Sequence, residues 1–395
     1  MNTTPHSSVA LTGRGTTPLV VHVVFRLDYG GLENGVVNVA NGLARPDCPH
    51  AIVALTQASD FRRRITNPSV QVYELHKRPG KDPAAYFRLY RLFRALKPTV
   101  VHTRNVGTID CALIAAVARV PYRVHGEHGW DVHDPDGTVR KFLTMRRTMG
   151  RFVHRFVALS KDLERWLLER VGIAPAKVQR ICNGVDVRKF HPLAGRRAAS
   201  EPGFPYEAVV VGSVTRFSDI KAPLNLVQAF IDARQRLAPE GLDLRLMMAG
   251  DGPLLREANA KLQAAGLAHA AWLPGSREDV PSLLRQMDVF ALSSLREGIS
   301  NTVLEAMASG LPVVASATGG NLELVQPGVT GTLVDAGDTH ALAQAIVAYA
   351  QDESLRRAHG LAGRERAERE YSIERMLSDY DNLYRLHSRQ LGVVA

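Results

Sequence analysis

The stretch "DVFALSSLREGISNTVLEAMASGLPVVAS", residues 288–316, contains a complete strand–helix–strand unit. Residues 288–293 and 312–316 are short apolar runs rich in β-branched side chains, which is typical of buried strands. Between them, "TVLEAMASG" has helical character and stops at Gly310. Two buried strands joined by a helix predict a βαβ unit in a parallel sheet.

The same alternation runs along most of the 395-residue chain. In the first half, strands are predicted at 19–25, 51–55, 99–102, 122–126 and 156–160, with helices at 33–44, 85–96 and 107–119. In the second half, strands are predicted at 208–214, 244–250, 270–273, 288–293, 312–316 and 331–334. The fold class is therefore predicted as α/β, with two Rossmann-like parallel-sheet domains that face each other across a cleft.

The composition of residues 191–205, "HPLAGRRAASEPGFP", marks a linker between these halves. We predict a disordered tail at 1–18, an N-terminal domain at 19–190, a C-terminal domain at 206–370, and a C-terminal helix at 371–395 that packs back toward the N-terminal domain. A cleft between two such domains is the usual ligand site, at the carboxyl ends of the strands.

The formal net charge of +10 suggests a phosphate-bearing ligand, an anionic membrane or nucleic acid as a partner. Nucleic acid is disfavoured because the chain has no zinc-finger spacing, RNP-like strand or lysine-rich arm. The three cysteines are far apart, which indicates a reduced compartment. There is no signal-peptide pattern and no run of about 18 apolar residues, so we predict a cytoplasmic protein.

The opening stretch also carries two glutamates, Glu297 and Glu305, which could form a catalytic carboxylate pair. Eight residues on one helix would separate them by ~12 Å. Glycoside hydrolases hold their two carboxyl groups ~5–5.5 Å or ~6.5–9.5 Å apart, depending on the mechanism. This spacing therefore argues against a hydrolytic pair.

The residues between the two glutamates favour an anion site instead. Gly298 and Ser300 leave backbone amides free, and Asn301 is a plausible N-cap for the helix that follows. A helix N-terminus attracts anions and is used by proteins to bind pyrophosphate. Glutamates on either side of such a site suit the sugar and ribose hydroxyls of a nucleotide sugar, although Glu305 could also be an exposed helix charge.

Two other segments have residues suited to a diphosphate. Gly30 and Gly31 lie between a strand and a helix, where glycine allows close backbone approach, although a simple tight turn explains them equally well. In "VGSVTRFSDIKAP" (211–223), a strand ends near Gly212, and Arg216 and Lys221 precede a helix that starts at Pro223. Both cations could instead be solvated surface charges. The chain has neither a P-loop motif nor a nicotinamide fingerprint.

These motifs together resemble glycosyltransferase family 4, the glycosyl transferases group 1, which are retaining enzymes with the GT-B fold. "EGISNTVLEAMASGLPVVAS" resembles the family's E-x7-E signature, and "TRFSDIK" its Arg and Lys diphosphate site. "GGLENGVVNVANGL", "VVHTRN", "GEHGWDV" and "ICNGVD" resemble its N-terminal domain. The resemblance covers residues 19 to about 385. "VVFRLDYGGLENGVVNVANGL" further resembles the exosortase-associated, exopolysaccharide-type sugar transferases.

The resemblance implies a role for each site residue. Gly31 would face the donor diphosphate, and His128 would contact the transferred sugar. Arg216 and Lys221 would neutralise the leaving diphosphate. Glu297 would hold sugar hydroxyls and Glu305 the ribose. The donor set also includes Gly212 and the segment of Gly298, Ile299, Ser300, Asn301 and Thr302.

The sequence departs from the family pattern at two places. Ile299 and Ser300 replace the more usual Phe-Gly, which bears on the identity of the donor sugar. Arg104 follows His102 where the family commonly has a second histidine, so we place His102 and Arg104 on the acceptor side. His125 competes with His128, but His128 lies in a loop, where site residues concentrate.

The function implied is transfer of a sugar from a nucleotide sugar to a glycan or lipid-linked saccharide, with retention and without metal or cofactor. We favour UDP-sugars only from their frequency in the family. "DPD" (134–136) and "DYD" (379–381) match a bare metal-binding DxD motif by chance, because neither follows a β-branched strand. The alternatives are a GT-B nucleotide-sugar epimerase and a non-catalytic nucleotide-sugar-binding paralogue. A phosphorylase would need a lysine-bound pyridoxal phosphate, for which there is no signature.

Basic helical segments offer a further reason for the positive charge. "FRLYRLFRALK" (87–97) spaces Arg88, Arg91, Arg94 and Lys97 beside aromatic residues, and residues 140–156 repeat the theme. Such helices could dock on an anionic inner leaflet, where a lipid-linked acceptor would lie. Solvated faces of ordinary surface helices explain them equally well.

Overall fold

The structure is a computed structural model that describes residues 18–130, 134, 136–192 and 202–390, with side chains up to residue 385. The predicted tail lies almost entirely outside these residues, and so does most of the predicted linker.

The first sheet has seven parallel strands in the order β3-β2-β1-β4-β5-β6-β7. These are β1 (Val20–Val24), β2 (His50–Ala54), β3 (Val70–Glu74), β4 (Val100–Arg104), β5 (Tyr122–Glu127), β6 (Arg155–Ala158) and β7 (Val178–Arg180). The helices associated with it are α1 (Gly31–Leu43), α2 (Pro83–Leu96), α3 (Cys111–Val117), α4 (Arg140–Met149) and α5 (Lys161–Trp166).

The second sheet has six parallel strands in the order β10-β9-β8-β11-β12-β13. These are β8 (Val209–Val214), β9 (Leu244–Ala249), β10 (Ala271–Gly275), β11 (Val289–Leu292), β12 (Val313–Ser316) and β13 (Gly331–Val334). Its helices are α6 (Pro223–Leu237), α7 (Leu255–Ala264), α8 (Val280–Leu284), α9 (Asn301–Ala308), α10 (Asn321–Leu324), α11 (Thr339–Gln351) and α12 (Glu353–Glu370). The predicted fold class of two parallel-sheet, Rossmann-like domains is confirmed.

Three local predictions need correction. The sequence patterns missed β3 and β7, which are the two edge strands of the first sheet and are mostly half-buried. Edge strands of this kind mix polar and apolar residues, so they lack the continuous apolar run of a central strand. The helix predicted at 107–119 is a 3₁₀ turn (Val106–Thr108) followed by the shorter α3, and Arg119 adopts left-handed backbone angles beyond it.

The polypeptide passes from the first sheet to the second between β7 and β8, and it returns to the first sheet near its C-terminus. Val185 N–H donates to the Tyr371 carbonyl (2.8 Å), and Ile373 N–H donates to the Val185 carbonyl (2.9 Å). The last helix, α13 (Ile373–Gln390), then packs against α1 and the first sheet. The two passages are thus hydrogen-bonded to each other, which ties the second sheet to the first.

No helix among the described residues is long and apolar enough to cross a bilayer. All three cysteines are free thiols. Burial raises the pKa of the Cys111 thiol well above its usual value and that of Cys182 to about 12, so both thiols stay protonated and unreactive at neutral pH.

Helix α12 packs against α9 and the turn that follows it through two glycines, which give a matched pair of stability predictions. A Cβ at position 360 would lie 2.1 Å from the Gly310 carbonyl oxygen, whereas a Cβ at position 363 would meet nothing nearer than 3.7 Å. We expect Gly360→Ala to lower the free energy of unfolding by about 1–3 kcal/mol, because backbone cannot yield cheaply. Gly363→Ala should raise it by about 0.5–1 kcal/mol, because alanine loses less entropy in a helix.

Urea denaturation of both variants measures this difference. Equal shifts of the two midpoints in the same direction would show that the close approach of Gly360 to the Gly310 carbonyl is not the cause.

Candidate functional site

The carboxyl ends of the two parallel sheets face each other, and two cavities open between them. The larger has a volume of about 960 Å³ and is lined by residues from α1, the 183–190 segment, the β10–α8 loop and α9. The smaller has a volume of about 210 Å³ and lies between the loops that follow β5 and β11. Asn183 lines both, so the cavities adjoin at this residue.

An ion pair between Lys221 and Glu297 forms one wall of the smaller cavity. Lys221 Nζ lies 2.6 Å from Glu297 Oε1, and the Ser294 hydroxyl donates to the same oxygen at 2.6 Å. The Glu297 side chain is almost fully buried, while about a third of the Lys221 side chain is exposed. The carboxylate is therefore held in one orientation, with Oε2 left for another partner, and the ammonium group faces the cleft.

The loop that carries Glu297 is fixed by contacts from both domains. Gly320 N–H donates to the Gly298 carbonyl at 2.7 Å. On the other side, a Cβ added at Gly298 would lie 3.0 Å from the Cα of Gly129. The backbones of the two domains thus touch at a pair of glycines, and this close approach places His128 beside the same cavity as Glu297.

Helix α9 begins directly after this loop, so its N-terminus lies between the two cavities. The Ser300 hydroxyl accepts from Val303 N–H, which makes Ser300 the N-cap. The prediction that Asn301 is the N-cap is therefore wrong by one residue, because the serine hydroxyl reaches the third helical amide. The other N–H groups of the first turn have no intrahelical acceptor and are available to an anion.

Asn301 instead bridges the two domains. Its Oδ1 accepts from Asn183 Nδ2 at 2.7 Å, and its Nδ2 lies 3.5 Å from the Gly31 carbonyl oxygen. Gly31 is the first residue of α1 and also lines the smaller cavity. This bridge divides the cleft, and a ligand that occupied both cavities would have to pass it at the α9 N-terminus.

Glu305 faces the larger cavity and is separated from Glu297 by this bridge. Burial raises the pKa of the Glu305 carboxyl to about 7, and the charges of Lys189 and Arg64 offset part of that rise. The two glutamates of the opening stretch thus lie in different cavities, as expected if they hold different parts of one ligand. A joint hydrolytic role does not fit this placement.

His128 and His125 have different environments. His125 is fully buried; its Nδ1 bonds the Thr103 hydroxyl (2.8 Å) and its Nε2 bonds Glu127 (3.2 Å). Glu127 is in turn paired with Arg146 at 2.6 Å. His128 lines the smaller cavity. Burial and the nearby Arg104 guanidinium hold the pKa of His128 well below its usual value, so it is neutral.

Four other predicted site residues are placed differently from the expectation. His102 and Arg104 are fully buried under α13 and line neither cavity, so direct acceptor contact by them is not supported. Gly212 lies inside β8, where a Cβ would be 2.2 Å from the Met287 sulfur, so it is a packing glycine. Arg216 is exposed and lines neither cavity; its charge acts on Asp28 and Glu33 of the first domain.

The remaining donor-set residues lie near the α9 N-terminus. Ile299 is buried, lines the smaller cavity and packs toward Gly320. Thr302 Oγ1 lies 3.2 Å from the Ser300 hydroxyl. Because Ser300 caps the helix and Ile299 joins the core, this dipeptide shapes the loop, and of the two only Ile299 lines the smaller cavity.

Acidic residues of the two bare DxD matches have partners within the protein. Asp134 Oδ1 accepts from the amides of Thr138 and Val139, while Asp136 pairs with Arg296 across the cleft. Asp381 pairs with Arg385 and Arg45. Within the described ranges, no group of three or more histidine, cysteine or acidic side chains is arranged to hold a metal ion.

Sequence reasoning missed Asn183, Ser294, Trp130 and the Gly319–Gly320 turn. Asn183 and Trp130 line the smaller cavity, Ser294 orients Glu297, and Gly319 and Gly320 pack against the backbone of Glu297 and Gly298. The sequence marked Asn183 and the Gly319–Gly320 turn only as parts of the loop motifs "CNG" and "GGN". Their partners lie more than 20 residues away in the chain, so no local pattern could identify them. Ser294 is only three residues from its partner Glu297.

Comparison with known proteins defines the class. The fold matches a glycosyltransferase from Rickettsia africae (TM-score 0.81, 19% identity, 94% of this chain and 99% of that one). It also matches Anabaena Alr3699/HepE in complex with UDP and glucose (TM-score 0.79, 19% identity, 93% and 99%). The protein therefore has the GT-B fold of glycosyltransferases.

Sequence similarity then gives the family. Residues 207–352 match the model for glycosyl transferases group 1, and residues 29–189 match that for glycosyltransferase family 4. The chain is 30% identical to the Escherichia coli UDP-Gal:alpha-D-GlcNAc-diphosphoundecaprenol alpha-1,3-galactosyltransferase, over 70% of this chain and 72% of that one. It is 28% identical to the Bacillus anthracis N-acetyl-alpha-D-glucosaminyl L-malate synthase, over 89% and 93%. The chain belongs to glycosyltransferase family 4 and is a glycosyltransferase.

The raised pKa of Glu305 predicts pH-dependent nucleotide binding. If Glu305 holds the ribose, as the family resemblance implies, its ionised carboxylate accepts hydrogen bonds from both hydroxyls, whereas the protonated form carries a donor on one oxygen. With a pKa of about 7, its ionised fraction rises roughly tenfold between pH 6 and 8. We expect the affinity for UDP, measured by calorimetry, to rise by up to this factor over that range.

Glu305→Gln is the matched control, because titration of the diphosphate itself is common to both proteins. A pH dependence that is unchanged in Glu305→Gln would contradict the assignment. Without ligand, the folded protein holds this proton to a higher pH than the unfolded chain, so its stability should fall as pH rises from about 4.5 to about 7.

Proposed function

We propose that the protein is a retaining, metal-independent transferase that moves a sugar from a nucleoside diphosphate sugar to a saccharide or lipid-linked acceptor in polysaccharide biosynthesis. The observation that carries this proposal is the Lys221–Glu297 pair in the smaller cavity, opposite His128, with Glu305 in the adjoining larger cavity. This arrangement suits a ligand with a sugar at one end, a nucleoside at the other and a diphosphate between them.

The position of each group suggests how such a donor would bind. The nucleoside would occupy the larger cavity with its ribose hydroxyls on Glu305. The diphosphate would lie at the α9 N-terminus, where free amides and the helix dipole favour anions. The sugar would enter the smaller cavity, where Glu297 accepts from its hydroxyls. Asn301 would have to adjust, because its bridge lies on the path between the cavities.

The chemistry required of the protein is stabilisation of the leaving group. The bond from the anomeric carbon to the diphosphate oxygen breaks, and a bond to the acceptor oxygen forms on the same face of the sugar. The departing diphosphate takes the proton of the acceptor hydroxyl. Lys221 and the α9 amides would stabilise the charge that develops on it, which is the work of a metal ion in other enzymes.

The names of the relatives support the substrate class. The Escherichia coli relative is named for a UDP-galactose donor and a diphosphoundecaprenol-linked acceptor, and the Anabaena structures contain UDP or UDP-glucose. We therefore propose a UDP-sugar as the donor and the inner face of the membrane as the place of action.

A thermal-shift screen of UDP-, GDP- and ADP-sugars tests the donor, and product analysis tests the reaction. We expect Lys221→Ala and Glu297→Ala to lower turnover by at least about 10²-fold, the usual loss when an electrostatic stabiliser is removed. Their circular dichroism should be unchanged, because both side chains lie at the cleft. Lys261→Ala, which removes a lysine of the second domain that lines neither cavity, is the control for lost charge.

Near-normal turnover of both variants would refute the site. Formation of an epimeric nucleotide sugar without acceptor would identify an epimerase, and binding without any turnover would identify a non-catalytic paralogue. The anomeric proton of the product, read by NMR, distinguishes retention from inversion.

Membrane docking rests on the exposed face of α2. Phe87 is 60% exposed, and Arg91, Arg94 and Lys97 are exposed on the same side. Arg88 is held by the Leu75 carbonyl and is less available. In α4, Arg146 belongs to the core with Glu127, so the second basic segment is less continuous than its sequence suggests.

We expect the protein to sediment with anionic vesicles and to be released by high salt. Each basic side chain near an anionic surface contributes about 1 kcal/mol, so the double variant Arg91→Ala/Arg94→Ala should weaken partitioning roughly thirtyfold. Arg236→Ala/Arg256→Ala removes the same charge from exposed positions of the second domain and should have little effect. Equal loss in both, or no binding by the unaltered protein, would rule out docking through α2.

A further inference from the structure

A chain of polar groups is buried between the first sheet and α13, and it reaches His128. It comprises His22, His50, His102, Arg104, Tyr380 and Tyr384. Arg104 is only 2% exposed, and no carboxylate forms an ion pair with it among the residues the structure describes. A buried guanidinium with neutral neighbours imposes a direction on their hydrogen bonds, since it can only donate.

The direction can be followed from Arg104 to His102. Arg104 hydrogen-bonds the Tyr384 hydroxyl, whose oxygen must accept. The same hydroxyl lies 2.9 Å from His102 Nδ1. If the Tyr384 proton is donated to that nitrogen, the hydroxyl and His102 Nδ1 are both satisfied, and His102 then carries its own proton on Nε2.

Two imidazole nitrogens beyond this point have no partner in the protein. His102 Nε2 and His128 Nε2 are both buried and lack a hydrogen bond. Both face the space above Gly126: a Cβ built there would lie 3.0 Å from His102 Nε2 and 2.4 Å from His128 Nε2. The His128 ring thus packs closely over the backbone at position 126, which a side chain there would prevent, and the two unpartnered nitrogens converge at this place. Buried polar atoms of this kind usually share an ordered water.

We propose that one water held above Gly126 links His102 to His128, so that Arg104, Tyr384 and His102 together set the tautomer of His128. The water accepts from His102 Nε2–H and donates to His128 Nε2. The proton of His128 therefore lies on Nδ1. His128 presents an N–H donor to the smaller cavity, opposite the acceptor oxygen of Glu297. Arg104, His102 and Tyr384 are positioning residues.

This arrangement explains why a histidine with no titrating role occupies the site. A neutral His128 with its N–H fixed donates a hydrogen bond to a hydroxyl or phosphate oxygen. Glu297, on the opposite wall of the cavity, accepts hydrogen bonds from hydroxyl groups. The titratable and charged groups that face His128 are His102 and Arg104 on β4, His125 and Glu127 on β5, and Lys221, Arg296 and Glu297 across the cavity.

The tautomer can be read directly, without substrate. In protein labelled with ¹⁵N-histidine, two-bond proton–nitrogen correlation spectra distinguish a protonated Nδ1 from a protonated Nε2. The His128 ring is assigned by its loss in His128→Asn. We expect Nδ1–H in the unaltered protein, and a mixture of both tautomers in Tyr384→Phe, where the donor to His102 is gone. A His128 ring protonated on Nε2 in the unaltered protein would overturn the proposal.

Tyr380→Phe is the matched control for this variant. Tyr380 lies one turn earlier on α13, is similarly buried and also packs against the His102 ring. Within the described part of the chain, its hydroxyl has no hydrogen bond. We expect the His128 spectrum of Tyr380→Phe to match that of the unaltered protein. An equal change in both variants would show that α13 contributes packing alone.

The effect on catalysis rests on the proposed function, in which His128 contacts the transferred sugar. We expect Tyr384→Phe to lower kcat/KM about tenfold with an unchanged melting temperature, and Tyr380→Phe to leave it within about twofold. If no sugar donor is turned over, the proposed function fails while the spectra still decide the relay. If turnover is normal but the tautomer is insensitive to Tyr384, the relay fails alone.

Discussion

The hydrogen bonds between Val185 and the segment at Tyr371 and Ile373 fix the arrangement on which the site depends. They join the two places where the polypeptide passes between the sheets, and they direct α13 back onto the first sheet. Parallel strands end at a common edge, so each sheet has one edge where loops carry side chains. Holding two such edges face to face creates a cleft whose walls come from distant parts of the sequence.

Within that cleft, the hydrogen bonds of Asn301 between the domains separate the two glutamates of the E-x7-E stretch into different cavities. Glu297 is fixed by Lys221 and Ser294 in the smaller cavity, while Glu305 lies one helical turn into α9 and faces the larger one. The helix N-terminus lies between them. In the proposed function, this one short segment would supply polar groups for both ends of a nucleotide sugar and an anion site for its middle, which would account for the wide separation of the two carboxylates.

Tertiary packing also gives different environments to residues that look alike in the sequence. His125 and His128 are three positions apart, yet β5 points the first into a buried network with Glu127 and Arg146, and the second emerges beyond the strand end. Arg146 looked like part of a basic surface helix, but tertiary packing places it in the core. Gly212 looked like a phosphate-loop glycine because it stands near a strand end, but its neighbour Met287 shows that it allows packing.

The sequence by itself determined the local elements and the types of chemistry present. Apolar runs predicted all strands except the two edge strands of the first sheet, β3 and β7, because these are only half-buried and mix polar with apolar residues. It also determined Pro223 as a helix start, and Glu297, Glu305 and Lys221 as candidate site residues, because each lies in a short local motif. Only the tertiary structure decided which side chains meet: Lys221 with Glu297, Asn301 with Asn183, and Tyr384 with His102. These pairs are up to 282 residues apart in the chain. Their contacts depend on the relative placement of two sheets and a returning helix, and no local periodicity encodes that placement.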